Sequence, residues 1–308
     1  MTTMRSRYRG TLLGLAAGDA LGGAVEFSPR AALARDYPNG VREIMGGGPH
    51  DLRVGEVTDD TAMALAIARA CSPRGIDLDQ VVENFVAWYR SEPKDIGITT
   101  SRALAKLAAG VPWTEVGVRM TSETPGKLAG NGSVMRCAPI ALRFRHNPEM
   151  LRQVSTDVAR MTHPDSMATG GSVALNQAIA YLLDGGAVDG VVDAAVAGVD
   201  DAEVVTAIRE TAGREYGDVR SGGFVLETLG AAFWAIAHRE SAEEAIVTAV
   251  SMGDDTDTSG AVTGALVGAA YGVEALPERW LSVLEPREEL SGLAETLLAW
   301  SEANAGGR

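Results

Sequence analysis

The sequence predicts an all-α fold, and three observations carry that expectation. Apolar residues recur at intervals of three and four along most of the 308 residues, and alternating β-branched runs are almost absent, which is the pattern of buried helix faces rather than of half-buried strands. The segments between these periodic stretches are generally short. Alanine and glycine are abundant, 48 and 36 residues, against a usual glycine share of about 7%, so the elements must pack at close range. With 46% hydrophobic and 22% charged residues the chain can bury a full core, which excludes a disordered class. No stretch reads as an interdomain linker, and one domain spanning 1–308 is expected.

The first helix, 5–22, carries Gly10, Gly14, Gly18 and Gly22 at four-residue spacing, a single i±4 ridge. Its basic start at Arg5, Arg7 and Arg9, followed by Thr11 to Ala17, superficially matches a secretory signal. The apolar run is short, however, is broken by Gly14 and Gly18, and meets a charge at Asp19, so no signal is expected. Residues 23–57 form a long loop broken at Gly40, Gly46-Gly47-Gly48-Pro49 and Gly55; loops of that length inside a domain are usually functional or mobile. Behind Val57-Thr58-Asp59-Asp60-Thr61 the apolar run Ala62 to Ala68 predicts a helix over 59–71, and the same periodicity predicts 77–91 and 99–109. Gly130-Asn131-Gly132-Ser133 opens a helix over 133–143. Helix 149–161 ends ahead of His163-Pro164, and Asp165 caps 166–184 as a short acceptor side chain does. Helices over 201–213, 222–239 and 241–251 lead to Gly253-Asp254-Asp255-Thr256-Asp257-Thr258. That segment heads a helix over 257–272, in which Gly260, Gly264, Gly268 and Gly272 repeat the four-residue ridge. A last helix covers 287–303. The longest apolar stretch, Ser259 to Leu276, is interrupted by Ser, Thr and Glu and falls short of the ~18–20 apolar residues of a membrane span.

Glycine costs roughly 1 kcal/mol per helix-interior position relative to alanine, so each ridge needs compensation. Close packing of two backbones is the plain reading. The sharper one is that the two ridged helices flank each other or a shared neighbour and bring chemistry at their ends into one site. A formal charge of −14, from 27 Lys+Arg against 41 Asp+Glu, argues against broad nucleic-acid binding, which relies on basic residues displacing counterions. Cys71 and Cys137 cannot make a disulfide framework in a chain of this size, which fits a reducing, cytoplasmic setting. A monomer is compatible with all of this.

Two acidic clusters, nearly 200 residues apart, carry the chemistry. Asp and Thr are preferred N-caps and acids favour a helix N-terminus, so capping is the plain reading of both. One cap needs one such residue, whereas each cluster supplies several carboxylates with interleaved hydroxyls. If the clusters meet, Asp59, Asp60, Asp255 and Asp257 place four carboxylates together, which requires raised pKa values or a cation. Thr58 and Thr258 add hydroxyl oxygens, and an all-oxygen set suits Mg²⁺, Ca²⁺ or Mn²⁺. Zinc is disfavoured, because His50, His146, His163 and His238 have no ligand spacing with cysteine or with each other.

Taken together, these segments resemble the ADP-ribosylglycohydrolase family, of which the dinitrogenase-reductase-activating glycohydrolases are bacterial members. The resemblance covers almost the whole chain: Gly14-Leu15-Ala16-Ala17-Gly18-Asp19-Ala20-Leu21-Gly22 with Val25-Glu26-Phe27, Thr58-Asp59-Asp60-Thr61, Asp95-Ile96-Gly97 with Thr99-Thr100, Gly130 to Arg136, Thr162-His163-Pro164 and Asp255-Thr256-Asp257-Thr258. It implies a compact orthogonal all-α fold of the ADP-ribosylglycohydrolase type with two divalent cations, Mg²⁺ or Mn²⁺, at the bottom of a cleft, and Thr58, Asp59, Asp60, Asp255, Asp257 and Thr258 as ligands. Glu26 matches an acid beside the metals in some members, and Asp95 the acid of the bacterial type, so Asp95, Glu26 and Asp60 are the expected catalytic residues. Gly130, Asn131, Gly132 and Ser133 match the loop that holds the ADP-ribose phosphates, with Arg136 as a further candidate there. His163 matches a residue on the ribose side. Phe224 falls where bacterial relatives often have Tyr, which keeps a stacking contact and loses a hydroxyl, and Asp254 replaces what is usually a second Gly.

The implied activity is metal-dependent hydrolysis of the bond linking ADP-ribose to a target, arginine-linked by analogy with members carrying the Asp-Ile-Gly loop. Carboxylates suit the oxocarbenium-like state of glycoside cleavage, and backbone N–H groups at a helix N-terminus bind a diphosphate without net basic charge. Linkage to serine, another side chain, a base or a small metabolite stays open within this class. A non-catalytic, binding or structural relative and a two-metal phosphate-ester hydrolase are the other classes; the first is disfavoured by the intact ligand set and the second by the lack of a basic clamp.

Overall fold

The computed structural model describes residues 2–124, 126 and 128–305. Among them regular structure is almost wholly helical, as expected. The elements in chain order are α1 (Met4–Gly23), α2 (Arg30–Asp36) and α3 (Asp59–Arg69), then a two-stranded antiparallel hairpin of β1 (Cys71–Ser72) and β2 (Gly75–Ile76). There follow α4 (Leu78–Tyr89), α5 (Ile98–Ala108), α6 (Trp113–Glu123), α7 (Ala138–Phe144), α8 (Pro148–Arg160), α9 (Ser166–Leu183), α10 (Val191–Val196), α11 (Ala202–Thr211) and α12 (Val225–His238). The chain ends in α13 (Ala242–Val250), α14 (Thr256–Tyr271), α15 (Glu278–Leu281) and α16 (Arg287–Ala305). No helix among them is long and apolar enough to cross a membrane.

The glycine ridges form the centre of the molecule. α1 and α14 run antiparallel in direct backbone contact: Gly10 faces Gly268 and Gly272, Gly14 faces Gly264, Gly18 faces Gly260, and Gly22 faces Thr256. A Cβ on Gly14 would lie 2.2 Å from the Gly264 carbonyl oxygen, and one on Gly18 2.0 Å from that of Gly260, so neither row has room for a side chain. Both helices are buried on nearly every side, with α9, α12, α13 and α16 packed around them. Burial of Leu12, Leu13, Leu15, Val262, Leu266 and Val267, at roughly 1.5–3 kcal/mol for each large side chain, outweighs the glycine cost. The antiparallel pairing also sets the first turn of α14 beside the last turn of α1, which is the alignment of helix ends that the sharper reading of the ridges required.

Four helices and one helix start depart from the expectation. α2 lies inside the loop 23–57, α6 between predicted helices, and α10 and α15 are of six and four residues. α2 buries only Leu33, and α6 only Val116 and Met120, too few apolar positions to set a period. The helix expected over 133–143 is divided: Asn131–Ser133 make one 3₁₀ turn and α7 begins at Ala138. Pro139 accounts for this, because proline lacks an N–H and is accommodated in a first helical turn but not in an interior.

Candidate metal centre and cleft

Asp19 organises the site from α1. Its side chain is fully buried, and its Oδ1 accepts from the Thr58 backbone N–H at 3.0 Å and the Thr58 hydroxyl at 2.9 Å, while Oδ2 accepts from the Thr61 N–H at 3.0 Å and the Thr61 hydroxyl at 2.5 Å. α3 is therefore capped from another helix, since Thr58 as its N-cap makes no cap bond of its own. Asp59 and Asp60 are released from capping. At α14 the N-cap Asp255 likewise makes no cap bond and accepts instead from the Asn131 side-chain amide at 2.9 Å. Capping does not explain either cluster.

The two clusters meet. Asp60 Oδ2 lies 3.2 Å from the Thr58 hydroxyl oxygen, whose proton Asp19 takes, and 3.5 Å from the Thr258 hydroxyl, 198 positions along the chain. Asp257 Oδ1 accepts the Thr258 N–H at 2.9 Å, and Asp59 Oδ2 the Gly97 N–H at 3.2 Å. Carboxylate oxygens of Glu26, Asp255 and Asp257 lie within 4.8 Å of one another. Burial, reinforced by the neighbouring carboxylates, raises Asp59, Asp60 and Asp257 well above the ordinary carboxylate range. Burial likewise pushes Asp19 up to about 6, and burial with Asp95 and Asp255 pushes Glu26 to about 9. No Lys or Arg pairs with any of the four aspartates among the described residues. Asp60 Oδ1 and Asp255 Oδ1 are buried without a hydrogen-bond partner, although such atoms cost about 1–3 kcal/mol when unsatisfied. Hard oxygen donors, unpaired lone pairs and uncompensated charge together fit a divalent cation.

Above this floor opens a cleft of about 420 Å³, lined by Glu26, Asp59, Asp95, Gly97, Gly130, Asn131, Gly132, His163, Asp255, Asp257 and Thr258 among others, with Phe27 and Ile98 exposed at its mouth. Asp60 and Thr58 lie buried beneath it. Gly130 and Phe224 pair across the wall through their backbones, fixed by the Asn131 N–H on Gly223 O at 3.1 Å and the Val225 N–H on Ala129 O at 3.0 Å. Phe224 is thus held beside the 130–133 loop with its side chain exposed, and it is not among the residues lining the cleft. The Ser133 hydroxyl is directed away, onto Ala168 O at 3.1 Å.

Arg136 does not reach the cleft, which corrects the expectation that it would aid phosphate binding. It is fully buried, over the Phe85 ring, and donates to Thr162 Oγ1 and Val158 O. Asp254 is exposed at a left-handed φ of 59°, where glycine is the unstrained residue; its backbone binds Phe27 and Ser28 at 2.7 and 2.9 Å, and its carboxylate takes no part in the cluster. One residue the sequence did not flag joins the site: His50, from the long loop, hydrogen-bonds Glu26 at 2.7 Å and lies 3.6 Å from Asp95.

The ADP-ribosylglycohydrolase family profile matches residues 1–305. The chain belongs to the ADP-ribosylglycohydrolase family. It is 34% identical over 302 residues to the ADP-ribosylarginine hydrolase Tri1 of Serratia proteamaculans, covering 94% of this chain and 78% of that one. It is 31% identical over 299 residues to the ADP-ribosyl-[dinitrogen reductase] glycohydrolase of Rhodospirillum rubrum, covering 93% of each. Among solved structures, an ADP-ribosylglycohydrolase-related protein complex superposes with a TM-score of 0.83 at 35% identity, covering 98% of this chain and 100% of that one. The family and these relatives are glycohydrolases acting on ADP-ribose conjugates.

For this glycohydrolase the raised carboxylates have a sign that can be worked out. A carboxyl whose folded pKa is raised contributes stability that is complete below its unfolded value, 3.8 for Asp19, and lost as the pH rises through the folded value of about 6. The metal-free protein is thus penalised at pH 8, and a cation relieves the penalty there. At pH 5 protons compete for the same oxygens. Saturating Mg²⁺ or Mn²⁺ is expected to add about 3 kcal/mol at pH 8, several degrees in Tm, and clearly less at pH 5. Taking the metal-induced shift cancels contributions common to both states, such as that of His163. Melts with and without EDTA at the two pH values check this, and an equal shift at both would refute it.

Proposed function

We propose that the chain hydrolyses the glycosidic bond between ADP-ribose and an arginine side chain of a modified protein, as a single cytoplasmic domain holding two divalent cations, Mg²⁺ or Mn²⁺. One observation carries the reading: Asp59, Asp60, Asp255 and Asp257 converge beneath a cleft whose wall also bears Glu26 and Asp95. Thr58, Asp59, Asp60, Asp255, Asp257 and Thr258 would hold the cations. When bound, these supply charge neutralisation, a template for vicinal hydroxyls and acidification of water.

The protein groups have separable tasks. Two dications would balance the four aspartates, and Glu26 and Asp95, with His50 between them, are left as polar acceptors on the cleft wall that can hydrogen-bond the N–H groups of a guanidinium. Asp95 or Glu26 orients the attacking water and takes its proton as the water oxygen bonds to the anomeric carbon. The C–N bond breaks, its electron pair leaves on the guanidine nitrogen, and that nitrogen takes up the proton. Gly130, Asn131 and Gly132 line the opposite wall, with Ser133 behind them, and Gly130 and Gly132 receive the diphosphate through their backbone N–H groups, that of Asn131 being held by Gly223 O; His163 and Phe224 contact the sugar and base portions. The relatives named for ADP-ribosylarginine and ADP-ribosyl-dinitrogen reductase support the arginine linkage.

The test is to incubate the protein with ADP-ribosyl-arginine and ADP-ribosyl-serine peptides, with Mn²⁺, Mg²⁺ or EDTA, beside an Asp59→Ala, Asp60→Ala variant. Release of ADP-ribose from the arginine peptide alone, abolished by EDTA and by the variant, is expected. Preference for serine would overturn the linkage, metal-independent release the mechanism, and no release from either peptide the activity.

A further inference from the structure

Two residues in the segments that carry the family resemblance, Arg136 and Thr162, have no task in the chemistry above, yet they form a buried chain that ends at the cleft. Arg136 and Thr162 are both fully buried, and His163 is 2% exposed with its ring on the cleft wall. Arg136 Nη2 donates to Thr162 Oγ1 at 2.6 Å, and Thr162 Oγ1 lies 2.7 Å from His163 Nδ1. The direction of each bond follows from the chemistry of the donors. A guanidinium has no acceptor, so the threonine oxygen must accept. The hydroxyl proton then has one acceptor within reach among the described residues, His163 Nδ1. The reverse arrangement, with Nδ1–H donating to the hydroxyl, would leave that proton unsatisfied in a fully buried place, at a cost of about 1–3 kcal/mol.

Nδ1 is therefore an acceptor, and in a neutral imidazole the proton then sits on Nε2. Nε2 has no protein hydrogen-bond partner among the described residues and faces the backbone of the 130–133 loop: a Cβ on Gly130 would stand 3.3 Å from it, and one on Gly132 3.1 Å. Burial, with the Arg136 charge, depresses His163 to about 3, so the ring stays neutral through the physiological range.

We propose that Arg136 and Thr162 are positioning residues that lock His163 as its neutral Nε2–H tautomer, so that the cleft wall offers a fixed, uncharged hydrogen-bond donor beside Gly130 and Gly132 to an acceptor oxygen of the substrate. A neutral donor holds such an oxygen without adding positive charge beside the cation site. That the oxygen belongs to ADP-ribose rests on the function proposed above; the tautomer does not.

The experiment is ¹⁵N NMR of the histidine side chains in the ligand-free protein at pH 7, with the His163 signals assigned from a His163→Gln variant. Wild type should show an unprotonated Nδ1 and a protonated Nε2 for His163. Thr162→Val, which keeps the shape and removes the hydroxyl, should shift the tautomer balance, weaken ADP-ribose binding by about three- to tenfold and raise KM more than it lowers kcat. Thr162→Ser should restore all three. A wild-type Nδ1–H tautomer, or a protonated ring at pH 7, overturns the proposal even if the valine variant does not fold. A Thr162→Val spectrum and affinity identical to wild type overturn it as well. Correct tautomers in a wild-type protein that binds no ADP-ribose would support the lock and count against the proposed function.

Discussion

Asp60→Asn is expected to lower kcat on an ADP-ribosyl-arginine substrate by about 10³-fold, the scale of losing one centrally placed electrostatic group, while raising the Tm of the EDTA-treated protein. The two effects have one cause. Asp60 is fully buried, its Oδ1 has no partner, and its ionised form is opposed by burial and by Asp19, Asp59 and Asp255. An amide of the same shape keeps an oxygen for the Thr258 hydroxyl and removes the charge that only a cation can balance. Function and metal-free stability should therefore move in opposite directions, as at sites strained for activity. Asp254→Gly is the matched control: its carboxylate is exposed and its left-handed backbone suits glycine, so activity should stay within about twofold of wild type. Steady-state kinetics, Mn²⁺ titration calorimetry and melts in EDTA check the set. A Tm for Asp60→Asn that falls in EDTA would show the carboxylate to be a structural cap and not a cation ligand.

The features legible in the sequence were those that repeat or cluster. Gly10 to Gly22 and Gly260 to Gly272 announce a close helix pair because glycine at every fourth position has no other economical explanation in a helix, and Asp59, Asp60, Asp255 and Asp257 announce a shared cation because capping needs fewer acids. Asp19 stood in the Gly14 to Gly22 segment with no role assigned to it, since that role depends on a helix 39 positions away. His50 gave no signal, because its partners Glu26 and Asp95 sit on other segments and no spacing links them. The reversal at Arg136 has the same origin. Its place after Gly130-Asn131-Gly132-Ser133 suggests a phosphate contact, but the 3₁₀ turn and the Pro139 helix start turn the side chain inward to Thr162. α6 escaped notice because two buried residues do not make a period.

Gly18→Ala should destabilise the protein by about 3 kcal/mol or more, whereas Gly292→Ala in α16 should be stabilising by about 0.5–1 kcal/mol. The substitution is the same, one methyl in a helix. At Gly292 that methyl meets nothing within 4 Å, and at Gly18 it would stand 2.0 Å from the Gly260 carbonyl oxygen and 2.3 Å from its carbon. These are backbone atoms on the opposing helix, so no rotamer change relieves the clash, and α1 and α14 must separate by at least about 1 Å in a core packed to crystal density. Separation does not stay local. Gly260 lies two and three residues beyond Thr258 and Asp257, and the two clusters touch through Thr258 and Asp60 at 3.5 Å, so a shift of α14 away from α1 draws Asp257 and Thr258 from the groups that Asp19 anchors on α3. Whatever fraction of Gly18→Ala folds should therefore bind Mn²⁺ more weakly than wild type, while Gly292→Ala binds it unchanged. Denaturant melts and Mn²⁺ titrations on both variants test the two halves of the argument. A Gly18→Ala protein as stable as wild type would refute direct backbone contact between α1 and α14, and one that is destabilised but keeps full Mn²⁺ affinity would separate the glycine ridges from the alignment of the site.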